Sequence, residues 1–213
     1  MYMTQIKTIA FNPFQVNTYI LYDETKNCVI VDAACYGMEE NNELKKIIDK
    51  NGLNPVMLLN THCHVDHILG NNFIYENFGL KPLIHKDGLF FLENAVEHAE
   101  TFGFSIDKPV SPEEFLHDGQ VLRFGNQELK VLETPGHAAG SVCFYNEKEG
   151  YLLAGDVLFQ NSIGRTDLPT GDFTTLKESI YNKVFVLPED TQVYCGHGPA
   201  TTIGEEKRNN PFL

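Results

Sequence analysis

A cluster of histidine and acidic side chains lies in the segment NTHCHVDHILG, residues 60–70. Three histidines and one aspartate occupy positions 62–67, directly after the apolar run PVMLL. Packing at the end of a strand requires no such cluster, whereas neutral imidazoles and carboxylates are the usual ligands of zinc and other transition metals. The segment therefore predicts one part of a metal site, formed by His62, His64, Asp66 and His67.

Three further residues of the same chemical types lie later in the chain. His137 is in TPGHAAGS, Asp156 ends the run YLLAGD, and His197 is in CGHGP. Each lies beside a glycine where an expected strand meets a loop, and rigid scaffolds often display functional groups at such places. Seven ligands are too many for one tetrahedral zinc. The set predicts two metal ions with a water between them, and a carboxylate such as Asp156 can bridge the pair.

The spacing within the first cluster adds geometry. In an extended segment, His62 and His64 point to the same side because side chains alternate with a period of two, and Cys63 points away. A helix that starts near Asp66 would turn Asp66 and His67 toward a second metal position. The cluster is therefore expected to contribute to both ions.

Alternating apolar and polar runs predict the elements that position these residues. In the first half, QIKTIAF, NTYILY, NCVIVDA, PVMLLN and PLIH are predicted strands. Helices are predicted over residues 38–52, 68–79 and 88–103, and the last of these is more apolar than a surface helix should be. In that segment, residues 89–104, we expect ordinary core packing ahead of a wall for an acyl pocket.

The second half repeats this style. A hairpin is predicted in VLRFGNQELKVLETP with its turn at Gly125–Asn126, followed by the strands SVCFYN and YLLAGD. An amphipathic helix is predicted over residues 172–188, and TQVYCG is expected to be the final strand before a short polar tail. Two groups of strands with flanking helices predict an α/β (α+β) fold with two sheets face to face and helices outside. The inward side chains of the 172–188 helix are expected to be Phe173, Leu176, Ile180 and Val184.

Composition sets limits on location and partners. With 213 residues, of which 42% are hydrophobic, the chain can bury the core of a single domain spanning residues 1–213. The net charge of −13 argues against a nucleic-acid or anionic-membrane surface. No secretory signal and no apolar run of roughly 20 residues is present. Five scattered cysteines indicate reduced thiols. A cytoplasmic protein without nucleic-acid or membrane partners is expected.

The motif THCHVDH, followed in order by His137, Asp156 and His197, resembles the metallo-β-lactamase superfamily, and more closely its glyoxalase II-like branch. The resemblance extends from the opening strands to VYCGHGP. It implies an αβ/βα four-layer sandwich of two mixed sheets, with the metals at one edge of both. It further implies two ligand sets: one metal takes His62, His64 and His137, the other takes Asp66, His67 and His197, and Asp156 is shared.

Departures from other members of the superfamily narrow the expected function. Secreted β-lactamases carry a signal peptide and usually a cysteine where Asp156 stands, nucleases carry a large inserted domain, and flavodiiron proteins typically have a glutamate where His64 stands. Full-length glyoxalase II enzymes add a C-terminal helical domain that supplies much of the glutathione contact. Only 213 − 197 = 16 residues follow His197, so that domain is expected to be missing. The segment GRTD, residues 164–167, resembles both short glyoxalase II-like hydrolases and mono-iron persulfide dioxygenases.

The resulting hypothesis is a metal-dependent hydrolase with two divalent ions, expected to be zinc, with iron or manganese as alternatives. Such ions lower the pKa of a nearby water to about 7, and the hydroxide would attack a small-molecule thioester such as a hydroxyacyl-glutathione. Asp66 would orient the hydroxide or accept its proton. The alternative is a mono-iron persulfide dioxygenase that uses two histidines and one carboxylate. A metal-binding module without turnover is the third possibility, and the oligomeric state stays open.

The remaining polar residues have structural interpretations. The histidines that lack ligand spacing are expected to be structural, and one of them, His98, to lie on a solvated helix face among glutamates. Arg165 and Asp167 are expected to form a pair that fixes a loop or supports Asp156, ahead of a contact with substrate. Two thiols next to the cluster in sequence are expected to be buried and inert. These other histidines and cysteines are His85, His117, Cys63 and Cys195.

Overall fold

The computed structural model describes residues 3–213, and the first half of the chain forms a six-stranded sheet. Its strands are β1 (Gln5–Phe11), β2 (Val16–Tyr22), β3 (Asn27–Val31), β4 (Asn54–Leu59), β5 (Pro82–His85) and β6 (Phe115–Leu116). Their order across the sheet is their order along the chain. Strands β1, β2 and β3 pair antiparallel, and the pairs from β3 to β6 are parallel, so the sheet is mixed.

The α-helices of this half are α1 (Gly37–Lys50), α2 (Val65–Ile68), α3 (Asn71–Phe78), α4 (Leu89–Glu93) and α5 (Ala95–Thr101). Helix α1 begins with acidic Glu39 and Glu40 and ends near basic Lys50, which suits the helix dipole. Helix α3 ends at Gly79 with a left-handed φ of 70°, as the sequence predicts.

The second half forms another mixed six-stranded sheet, with a separate small hairpin. The strands are β7 (Val121–Phe124), β8 (Gln127–Glu133), β9 (Val142–Asn146), β10 (Tyr151–Gly155), the hairpin strands β11 (Leu158–Phe159) and β12 (Ser162–Ile163), β13 (Gln192–Cys195) and β14 (Thr201–Thr202). The order across the large sheet is β14-β13-β10-β9-β8-β7. Helix α6 (Phe173–Ser179) precedes β13, and helix α7 (Ile203–Asn209) follows β14. The predicted two-residue turn at Gly125–Asn126 is confirmed, because Phe124 pairs with Gln127.

Buried side chains of alternate residues show how the layers stack. In β3, Val29 and Val31 belong to a cluster with side chains of the second sheet, whereas Cys28 and Ile30 pack against Leu44 of α1. Both faces of this strand are therefore buried, which explains its continuous apolar sequence. The second sheet behaves in the same way, with one face in the shared cluster and the other against α6. The predicted four-layer sandwich is confirmed.

Several element predictions were wrong in detail. The segment 88–103 is two helices separated by Asn94, not one. The predicted helix over residues 172–188 is α-helical only to Ser179 and continues as a π-helical turn from Ile180 to Val184. Phe173 is 47% exposed instead of inward, although the other three predicted inward side chains are buried. The residues after TQVYCG form β14 and α7, not merely a polar tail. No helix within residues 3–213 has the length and apolar character to cross a membrane.

One edge of the sandwich collects the ends of strands from both sheets. Strand β9 pairs antiparallel with both β8 and β10, and β10 pairs parallel with β13, so β8, β10 and β13 all end at the same edge. The carbonyl of Thr61, just after β4, accepts a 2.8 Å hydrogen bond from the amide of Val142 in β9. This bond brings the end of β4 to that edge of the second sheet.

Candidate metal centre

The shared edge brings together all seven residues that the sequence predicts as ligands. Within residues 3–213, histidine nitrogens and carboxylate oxygens within 4.8 Å of one another form three groups that could hold a metal ion. The short helix α2 begins at Val65, so it turns Asp66 and His67 as expected. Cys63 points away from the cluster into a separate apolar core. The three groups are His62–His64–His137, His62–His67–Asp156 and Asp66–His67–His197.

Hydrogen bonds fix the ring orientation of four histidines. The Nδ1 atoms of His67, His137 and His197 donate to Asp32 at 3.0 Å, to the Arg165 carbonyl at 2.8 Å and to the Phe14 carbonyl at 2.9 Å, respectively. Thr61 Oγ1 lies 3.1 Å from Nδ1 of His62 and gives its own proton to Asp32, so His62 is also the donor there. Each of these rings therefore turns Nε2 toward the cluster, and this atom carries a lone pair in the neutral form. His64 instead turns Nδ1 toward Nε2 of His137, at 2.9 Å.

The carboxylate of Asp156 lies between the two halves of the cluster. Its Oδ2 is 3.6 Å from Nε2 of His137 and 3.4 Å from Nε2 of His197, and its Oδ1 is 3.4 Å from Nε2 of His67. On the far side, Oδ2 of Asp66 is 3.6 Å from Nε2 of His197. One carboxylate thus faces ring nitrogens of both predicted ligand sets.

Charge and burial divide the cluster into two groups of protonation states. Burial and neighbouring imidazoles lower the pKa of His62, and lower that of His64 to about 3. Burial also lowers the pKa of His137. Burial opposes ionisation of Asp156, yet the facing imidazoles, His67 first, bring its pKa well below the ordinary carboxyl value. These neutral imidazoles and this ionised carboxylate are the forms that bind a cation. Burial opposes protonation of His67 and His197, yet the facing carboxylates, Asp156 first, raise the pKa of both rings, so these two would release a proton when a cation binds.

Unpaired polar atoms test whether the site fits a metal. Buried polar atoms normally have a hydrogen-bond partner, because leaving one unpaired costs free energy. Nε2 of His62, Nε2 of His64, Nε2 of His67 and Oδ1 of Asp156 are all buried without one. The atoms of His62, His67 and Asp156 come from one group that could hold a cation, so coordination accounts for them. The donor set therefore fits a metal site.

Asp32 supports the centre and is absent from the sequence-based ligand set. It follows β3 and is 1% exposed. Its two oxygens accept hydrogen bonds from the amide and the hydroxyl of Thr61, at 2.7 and 2.6 Å, as well as from His67. It therefore orients a residue of each predicted ligand set, since Thr61 in turn contacts His62. Its place at the end of the apolar run NCVIV, like that of Asp156 after YLLAG, is the signal that could have identified it.

Replacement of Asp32 with alanine is expected to lower the free energy of unfolding by about 3–5 kcal/mol, because three buried hydrogen bonds are lost together. Urea denaturation of metal-depleted protein measures this. Asp49→Ala is the matched control: its carboxylate is 60% exposed and pairs with Lys45 within α1, so the expected loss is below about 1 kcal/mol. Equal losses for the two variants would contradict the structural importance of Asp32.

The turn between β1 and β2 ties two ligand segments together. Nδ2 of Asn12 donates to the carbonyls of Ala34 and Asp66, each at 3.0 Å. The next residues bring the Phe14 carbonyl to His197, and the amide of Asn17 donates to the Gly196 carbonyl at 2.7 Å. The turn therefore positions both Asp66 and His197. The residue types in the turn do not by themselves predict these contacts.

Two glycines allow these loops to approach one another. Gly155 has a φ of 49°, and a Cβ there would overlap Thr61. A Cβ at Gly196 would overlap Oδ1 of Asp156. Both positions therefore require a residue without a side chain.

A cavity of about 370 Å³ opens above the cluster. His98, Phe91 and Phe102 line it, so residues 89–104 form its wall in addition to packing in the core, and the prediction of core packing alone is incomplete. His98 is half-buried, with its ring 6.1 Å from that of Phe91, so its prediction as a solvated surface residue was wrong. It belongs to none of the groups that could hold a metal within residues 3–213.

The other structural interpretations agree with the fold. Arg165 and Asp167 form a two-bond ion pair, with both distances 2.7 Å, on the loop whose Arg165 carbonyl holds His137. His85 bonds to Glu133 at 3.1 Å, away from the cluster. Cys63 and Cys195 are buried, and burial raises the pKa of Cys195 to about 12, so neither thiol is poised to react.

Known proteins are similar to this chain in both sequence and fold. A hydroxyacylglutathione hydrolase, GloC, of Haemophilus influenzae is 36% identical over 98% of this chain and 97% of its own length. The crystal structure of BLEG-1 B3 metallo-β-lactamase is 38% identical, with a TM-score of 0.89 over 98% of this chain and 99% of that one. The structure of TTHA1623 in a di-iron-bound form is 35% identical, with a TM-score of 0.88 over 97% and 100%. The profile of the metallo-β-lactamase superfamily matches residues 11–197, and the chain belongs to that superfamily.

Proposed function

We propose that this protein is a metal-dependent hydrolase with a dinuclear centre formed by the seven clustered residues. One ion would be held by His62, His64 and His137, and the other by Asp66, His67 and His197. The position of the Asp156 carboxylate, 3.4–3.6 Å from ring nitrogens of both sets, is the observation that carries the proposal. A carboxylate in that position can bridge two ions, whereas a single tetrahedral ion would leave three ligand-type residues unused.

When bound, two divalent ions polarise a substrate carbonyl and lower the pKa of a water between them to about 7. The residues of the chain supply position and proton transfer. Asp66 lines the cavity with a carboxylate that is 17% exposed, so it can orient the attacking water and accept its proton on a carboxylate oxygen. The Nδ1 donors to Asp32, Arg165 and Phe14 hold three rings rigid, which preserves the ligand geometry during turnover.

We propose a thioester as the substrate, with hydroxyacyl-glutathione as its first candidate. The 36% identity with a hydroxyacylglutathione hydrolase over 98% of the chain supports this choice. We propose zinc as the metal, because the ions need no redox change for hydrolysis and nitrogen-rich sites suit zinc. Iron or manganese are the alternatives, and the di-iron form of TTHA1623 supports the first of these. A cytoplasmic location is part of the proposal, supported by five buried free cysteines.

For the zinc-loaded protein with S-lactoylglutathione, we expect a KM at or above about 1 mM with a kcat in the ordinary range of about 1–1,000 s⁻¹. Arg165 is the one lysine or arginine that lines the cavity in the described part of the chain, and it is already paired with Asp167. Two glutathione carboxylates therefore find little cationic surface, which weakens binding of substrate and transition state equally and raises KM alone. Release of free thiol measures both constants.

A KM in the low micromolar range would contradict this expectation. Comparison of Arg165→Ala with the matched surface variant Arg123→Ala would then show whether Arg165 binds the tripeptide, because Arg123 lies on β7 in an exposed ion pair with Glu128. Absence of thiol release at any concentration, with two zinc ions bound, would contradict the thioesterase proposal itself.

A further inference from the structure

We propose that the acyl group of the substrate is aromatic or comparably large and apolar, and that the thiol carrier lies in a separate, more open groove of mixed lining beside the metal centre. This inference rests on the proposed thioester hydrolysis and adds the substrate class. It follows from the aromatic walls of one depression and the more open shape of another, which share Asp156, Arg165 and His197.

The first depression is the cavity of about 370 Å³, and its walls are mostly aromatic or aliphatic. Phe14 from the β1–β2 turn and Phe102 from the end of α5 meet edge to face, with ring centroids 5.8 Å apart. They remain 42% and 48% exposed, although large apolar side chains usually bury their surface. Exposed aromatic rings that meet over a polar cluster are typical of a binding site. The other apolar lining residues are Val65, Phe91, Leu168 and Pro169.

Polar groups in this cavity, apart from the metal-site residues, are few. They are His98, Thr101 and Arg165, and the guanidinium of Arg165 is held by Asp167 through two hydrogen bonds. A small hydroxyacyl group such as lactoyl would leave most of the apolar wall in contact with water. A phenyl or branched alkyl substituent would cover it, and burial of that wall is favourable in proportion to its apolar area.

The second depression is a groove of about 480 Å³, more open to solvent, on the far side of Asp156 and His197. Its lining includes Gln160 and Ser162, which can hydrogen-bond to amides and carboxylates. Apolar side chains line it as well, namely Phe159, Ile163 and Pro199. Thiol carriers are long and polar, so they require an open route with hydrogen-bonding groups. The groove meets this requirement better than the aromatic cavity, because it is more open and has Gln160 and Ser162 in its lining. We therefore place the scissile bond at the shared metal centre, the acyl group under Phe102 and the carrier along the groove.

The experiment compares S-mandeloyl and S-lactoyl thioesters, which differ only by a phenyl in place of a methyl group. Each acyl group is joined to glutathione and to N-acetylcysteamine, and kcat/KM is measured with zinc-loaded protein. We expect a mandeloyl preference of at least about tenfold on both carriers, because even one methylene in an apolar pocket is worth about 10–200-fold. Phe102→Ala should reduce this preference by at least about threefold, since it removes one wall.

The matched control is Phe115→Ala on β6, where the ring is 46% exposed and lines neither depression. It should leave the mandeloyl-to-lactoyl ratio unchanged. Because the ratio for each variant is compared with that of the unaltered protein, the different chemical reactivity of the two esters cancels.

The inference would be overturned by a mandeloyl-to-lactoyl ratio near one, by a preference for lactoyl, or by equal effects of the two phenylalanine variants. None of these results would contradict thioester hydrolysis itself. A preference that appears with one carrier only would also overturn it, because the preference would then depend on the thiol carrier and not on the acyl group alone. If no thioester is cleaved, the proposed function fails. The affinities of the zinc-loaded protein for mandelate and for lactate then test the inference by themselves. Tighter binding of mandelate by at least about tenfold, lost in Phe102→Ala, supports it, and equal binding overturns it.

Discussion

Asp156→Ala is expected to reduce the bound divalent metal from about two ions to less than one per chain and to lower kcat/KM by at least about 1,000-fold. The carboxylate faces Nε2 of His67, His137 and His197 at 3.4–3.6 Å, so its removal takes a ligand from both proposed ions at once. The centre would also lose a negative charge that offsets the positive charge of the two ions. Metal analysis by mass spectrometry and thioester hydrolysis measure the two effects separately.

The control for this variant is Asp190→Ala, an exposed carboxylate ahead of β13 that should change neither readout. His98→Ala is unsuitable as a control because His98 lines the cavity. Circular dichroism and thermal denaturation establish that Asp156→Ala is folded. A folded variant that retains two ions and normal turnover would show that Asp156 is not the bridging ligand.

The clustering of the seven residues could be predicted because their chemistry is local. Each is a ligand-type residue that follows an apolar strand sequence. Because the ends of these strands meet at one edge, such residues come together, and each of them can be recognised from the sequence around it alone. The fold was predictable for a related reason: strands such as β3, buried on both faces, have continuous apolar sequences. That these residues bind metal, and that residues 1–213 form a single domain, remain predictions.

The supporting contacts could not be predicted, because they join segments that are distant in sequence. Asp32 bonds to Thr61 and His67 across 29 and 35 residues, and its position after a strand was the only local signal. The β1–β2 turn reaches the loop of His197 through a backbone carbonyl, a group that every residue carries. Contacts of this kind, made through a backbone carbonyl, follow from the fold and do not depend on which residue supplies the carbonyl.

Periodicity failed where tertiary contacts override it. Residues 88–103 have a helical pattern, yet Asn94 divides them. Phe91 and Ala95 pack in the core cluster of Cys63, and Ala99 packs in a different one. Phe173 has the spacing of an inward residue, but it is the first residue of α6 and its side chain is 47% exposed.

Hydrolysis and oxygenation make different demands on this centre. Hydrolysis requires only a Lewis acid and a bound water, so zinc suffices and dioxygen is irrelevant. Persulfide oxidation requires a redox-active iron with open positions, held by two histidines and one carboxylate. One such ion on His62, His67 and Asp156, which form one of the groups that could hold a metal, would leave four ligand-type side chains of the cluster unused. Two ions would use all seven, which favours a dinuclear centre and hence hydrolysis.

Anaerobic assays are expected to show thioester cleavage by the zinc-loaded protein at the same rate with and without dioxygen. In parallel, the iron-loaded protein with glutathione persulfide should consume dioxygen at less than about 1% of that rate. Two bound ions would each take three of the clustered residues and share Asp156, which would limit the open positions that iron oxygenases need. An oxygen electrode and thiol release measure the two reactions on one preparation. The metal count decides between the chemistries independently of rate. Rapid oxygen consumption with one bound iron per chain and no thioester cleavage would replace the hydrolase proposal with a persulfide dioxygenase on the same residues.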